Sequence, residues 1–84
     1  MTLSVGLIMQ KKNYIEAEQF LQRAVELLPL DPIINDHYAD TLWKLNKNIQ
    51  ARYFWNHILK LDNTEQKLKD TINKKLIFGV NKKL

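Results

Sequence analysis

The chain has 84 residues, enough for one small domain or one piece of a larger one. It has no cysteine, which removes disulfides, thiolate metal sites and cysteine nucleophiles, and only two glycines and two prolines, too few for a turn-rich all-β fold. The net charge of +4 is unevenly spread: residues 1–43 carry three Lys/Arg against six Asp/Glu, whereas residues 44–84 carry ten against three.

Five helical segments are expected in chain order. Residues 2–11 are apolar at Leu3, Val5, Leu7, Ile8 and Met9, more than a helix with one buried face requires. The stretch is too short for a membrane span of roughly 18 residues, and it lacks the basic start and small-residue exit of a signal peptide. Together with the missing cysteines this leads to the expectation of a cytoplasmic chain without a membrane partner. Asn13 with Glu16 three positions later forms a capping-box pattern, so a second helix is expected over residues 14–28. Its apolar positions Tyr14, Ala17, Phe20, Leu21, Ala24, Val25, Leu27 and Leu28 recur at spacings of three and four.

Pro29 stops that helix, and Asp31 followed by Pro32 starts the next, over residues 32–45. Ile34, Tyr38, Ala39, Leu42, Trp43 and Leu45 form its stripe. Asn46 suits the left-handed conformation that often closes a helix. Residues 49–61 follow, apolar at Ala51, Phe54, Trp55, Ile58, Leu59 and Leu61, and end at a polar turn over residues 62–64. The fifth segment, residues 64–78, has a thinner stripe of Leu68, Ile72, Leu76 and Ile77 amid lysines. Gly79 terminates it, and residues 80–84 read as a frayed basic tail.

Shifting the chain by 34 residues lays Ala17 on Ala51, Leu21 on Trp55, Ala24 on Ile58 and Leu27 on Leu61. A small residue early in the second helix of a hairpin allows close approach, and a large one four positions on fills the space between helices. A 34-residue helix-turn-helix period is the tetratricopeptide spacing, and over residues 2–78 the chain resembles that family, most closely the closing repeats of certain bacterial multi-repeat proteins. The resemblance implies an all-α, right-handed solenoid of antiparallel hairpins. Residues 1–79 would form the module: an N-terminally truncated repeat (1–29), a complete repeat (30–63) and a capping helix (64–79) whose lysine face is solvated. The pattern departs from the family at Lys12 and Asn46, where a glycine is usual, and at Asn63, where the closing proline is usual.

The resemblance further implies that the first helix of the complete repeat lines a concave groove for a protein or peptide partner. Carried over by position, the groove residues are Ile33, Asp36, His37, Asp40, Trp43 and Lys44. The bland alternative is a solvated helix face. Asp36 and Asp40 would repel a terminal carboxylate and suit a partner with a basic side chain. Because nothing caps the apolar start, self-association through that N-terminal face is expected, or else further repeats once preceded it. Asp36, His37 and Asp40 lack the further His or Cys of a metal site, and no glycine-rich phosphate loop or catalytic motif is present. Neither a cofactor nor an enzyme activity is expected. The rival reading is nucleic-acid binding through Lys67, Lys69, Lys74, Lys75, Lys82 and Lys83. It is disfavoured because that end lacks arginine and, Phe78 apart, stacking aromatics. A third reading is a remnant of a longer repeat protein without a role of its own.

Overall fold

The computed structural model describes the backbone of residues 2–80 and the side chains of residues 13–80. Among the described residues there are four helices and no strand: α1 (Thr2–Leu27), α2 (Pro32–Lys44), α3 (Asn48–Leu59) and α4 (Gln66–Phe78). The fold is all-α. None of these helices is long and apolar enough to cross a membrane.

The break expected at Asn13 does not occur. The backbone runs as one helix through Lys11, Lys12, Asn13 and Tyr14, so residues 1–29 do not fold back into a hairpin. No glycine or proline lies there, and each of these residues costs only about 0.7 kcal/mol or less against alanine in a helix interior. Breaking the helix would also forfeit several backbone hydrogen bonds, which the Asn13 cap alone cannot replace. The apolar faces expected of residues 1–9, and the lysines of residues 81–84, lie outside the described side chains.

The later boundaries follow local chemistry. Asp31 is extended (φ −85°, ψ 112°), and its Oδ1 accepts from the amides of Ile33 (2.9 Å) and Ile34 (3.1 Å), while Pro32 takes the first helical position. Asn46 is left-handed (φ 64°), as its position after α2 requires. Gly79 also has positive φ (76°) and stops α4. The segment beyond Gly79 is not frayed at its first residue: Val80 is half-buried against the core.

α2 and α3 form the closest pair; α1 packs chiefly on α2, and α4 on α3. Ala39, Leu42, Ala51, Trp55, Ile58 and Ile72 have no exposed surface. Ala51 keeps α3 close to α2, and Trp55, the largest fully buried side chain, fills the space beside it. Tyr38 meets Phe54 edge-on at 4.9 Å, and burial together with the Glu18 charge pushes its phenol pKa up. The stripes expected on the outer helices are only partly covered. Phe20 (75% exposed), Leu27 (65%) and Ile77 (71%) face outward, since α1 and α4 each pack chiefly on one neighbour.

One buried polar side chain organises the α1–α2 connection. Asn35, 1% exposed, donates its Nδ2 to the carbonyls of Pro29 (3.1 Å) and Asp31 (2.8 Å). α3 and the turn beyond it reach the same connection, His57 Nε2 lying 3.2 Å from the Pro29 carbonyl and Asn63 Nδ2 donating to Leu30 (3.1 Å).

Candidate functional site

α2 supplies all six residues expected to line a groove, but the structure divides them between two surfaces. On the side toward α4, Asp36, Asp40 and Trp43 are covered. Lys75 of α4 inserts its ammonium between both carboxylates, 2.9 and 3.2 Å from Asp36 and 3.0 and 3.1 Å from Asp40. Trp55 Nε1 donates to the same Asp36 at 3.2 Å, so α2, α3 and α4 meet at one carboxylate. The lysine face of α4 is therefore not wholly solvated. Lys75 points inward, its side chain 19% exposed, and the carboxylates expected to receive a basic partner already hold a cation from the same chain.

The electrostatics of this triad follow from one cation serving two anions. Burial raises the Asp40 pKa, and the Asp36 charge raises it further; the hydrogen bond and charge of Lys75 offset only part. Burial alone would lower the Lys75 pKa, but its hydrogen bonds to Asp36 and Asp40 and their charges outweigh that, and the net direction is up.

Trp43 is likewise occupied. Its ring stacks at a tilt on Trp55, centroids 5.5 Å apart, with the Arg52 guanidinium 5.6 Å from its centre. Gly79 closes over it: a Cβ there would collide with the Trp43 ring at Cζ2.

The second surface is open. His37 and Lys44, with the edge of Asp40 and Thr41, form one wall of a groove of about 590 Å³; α1 supplies the other through Asn13, Tyr14, Glu16, Ala17, Phe20 and Leu21. Lys44 lies 5.4 Å over the Tyr14 ring, which fixes the groove's end. Beside it, Lys47 pairs with Glu18 and ties α1 to the start of α3. Phe20 is the large apolar surface in this groove, with polar groups around it. Ile33 stands apart, 53% exposed near the start of α2. Among the described residues no group of three or more His, Asp or Glu is placed to hold a metal ion.

Sequence reasoning missed Phe20, Ala17 and Tyr14 as site residues because helical spacing assigns them to a core face. It missed Lys75 although a signal was present: Lys75 follows Ile72 by three, on the apolar stripe of its helix, where a cation needs a buried partner.

The fold and groove define a small helical protein with an open, mostly apolar inter-helix surface. No family model matches the chain, and no curated protein or solved structure is detectably similar to it.

Proposed function

We infer that the chain is a non-catalytic protein-interaction module, built from one tetratricopeptide-like hairpin (α2 and α3) flanked by the long α1 and by α4 as a cap. The single observation that carries this reading is the α1/α2 groove, where Phe20 stands 75% exposed between helices instead of packing into the core. The 34-residue echo supports the repeat architecture, with Ala51 and Trp55 both fully buried at the positions where such a hairpin needs a small and a large residue. Contact with a partner runs through His37, Lys44 and the α1 wall, since Asp36, Asp40 and Trp43 are covered by α4. An apolar, helix-forming segment is the complementary shape for a groove with two helical walls.

Backbone amide chemical shifts test this reading. Titration with amphipathic helical peptides is expected to perturb Ala17, Phe20, Leu21, His37, Thr41 and Lys44 in a saturable way. Peptides that leave these unmoved, with an oligonucleotide instead shifting Lys67 and Lys74, would defeat it in favour of nucleic-acid binding.

A further inference from the structure

α1 is twice as long as the helix it packs against. Its 26 residues span about 39 Å, against about 20 Å for the 13 residues of α2. The two run antiparallel, and the end of α2 is level with Tyr14, where Lys44 meets its ring. Residues 2–13 therefore carry the helix about 18 Å beyond α2. In sequence this half is apolar at Leu3, Val5, Leu7, Ile8 and Met9, followed by Lys11 and Lys12. A helix of that composition needs cover on more than one side. The other half of the same helix offers the complement: an open apolar groove with the exposed carboxylate of Glu16 at its edge. Asn13 lies between the halves and lines the groove itself.

Two complementary surfaces on one straight rod satisfy each other when two rods pair antiparallel, which is the self-complementary arrangement of a two-fold dimer. Resting on the interaction-module reading and deepening it, we propose that the partner in the groove is a second copy of this chain. The two α1 helices cross a two-fold axis at Asn13, and residues 2–12 of each copy lie along residues 14–24 and α2 of the other. Positions equidistant from Asn13 come level. Gly6 meets the level of Phe20, so the residue with least bulk comes level with the exposed ring of the groove. Lys11 and Lys12 come level with Ile15 and Tyr14, beside Glu16, so opposite charges flank the axis on both sides. Each contact is made twice, as two-fold symmetry dictates.

The absence of cysteine makes the register directly testable on the full chain. Asn13→Cys is expected to form a disulfide-linked dimer under mild oxidation, because equivalent residues adjoin at the axis, whereas Asn56→Cys on the exposed side of α3 is expected not to. Light scattering is expected to give a dimer for the wild type and a monomer for Phe20→Glu. Glu16→Lys is expected to weaken the dimer at least tenfold, and adding Lys11→Glu and Lys12→Glu to restore it. A wild-type monomer overturns the proposal, including one in which residues 2–12 fold back at Asn13 onto their own groove. So does a dimer that fails to cross-link at position 13. A monomer whose groove still binds amphipathic peptides sinks the dimer alone; a monomer that binds none sinks the interaction-module reading with it.

Discussion

Lys75 holds two carboxylates that would otherwise repel each other, and the three side chains are between 13% and 28% exposed. Replacing it by methionine leaves Asp36 and Asp40 facing each other without a cation, which is expected to cost about 2 kcal/mol in urea unfolding. Asp40→Asn is expected to be milder, because it removes one of two repelling carboxylates and leaves Lys75 paired with Asp36. The sign of the pH dependence follows from the two pKa directions. A raised Asp40 pKa means that its contribution is full below the ordinary aspartate value of about 3.9 and is lost as pH rises through the raised value. The stability of Asp40→Asn relative to wild type should therefore improve as pH rises above the ordinary aspartate value of about 3.9. Lys75 is raised as well, so its contribution persists through neutral pH and disappears only above about pH 10.4. Wild type should lose stability on that alkaline side while Lys75→Met shows a flatter curve.

At the level of elements, the starts and stops from α2 onward were legible because they depend on neighbours in sequence. Asp31 caps its own helix, Asn46 takes the left-handed position and Gly79 ends α4, as each residue type favours. The same local logic misplaced a boundary at Asn13, since a capping pattern marks where a helix can start without forcing the preceding one to stop. The groove was legible only as half a wall. The resemblance assigned Asp36, His37, Asp40 and Lys44 to one groove by position, and nothing local to α2 announces that α4 takes part of it. Gly79 combines both kinds of constraint, a positive φ and a ring against its Cα. Gly79→Ala is expected to lower stability by about 2 kcal/mol, from the left-handed backbone and the clash together. Thermal unfolding checks it, and Val80→Ala, beside it without either constraint, should cost less.

The molecule as a whole is a compact three-helix unit with a long first helix attached along one side. α2, α3 and α4 share the Asp36–Lys75–Trp55 junction and most of the buried core, whereas the described part of α1 contributes Val25 alone to that buried set. Stability should be distributed accordingly. Amide hydrogen exchange is expected to show α1 opening first, with α2 and α3 exchanging only through global unfolding. Equal protection in all four helices of a monomeric sample would contradict that ordering. The uneven charge has its own geometry: the acidic first half and the lysine-rich second half meet in the Glu18–Lys47 and Asp36/Asp40–Lys75 pairs, so part of the imbalance is internal cross-bracing.

The chain's two tryptophans are stacked on each other, and Gly79 presses on one of them. Indole emission is sensitive to polarity and to adjacent quenchers, and here both chromophores sit where the C-terminal helix seats. The protein thus carries an unlabelled optical gauge. Lifting α4 by alkali, by Lys75→Met or by competition at its seat would uncover Trp43 and open the Trp55–Asp36 hydrogen bond to water. Undocking would register as a spectral change before the helices themselves melt.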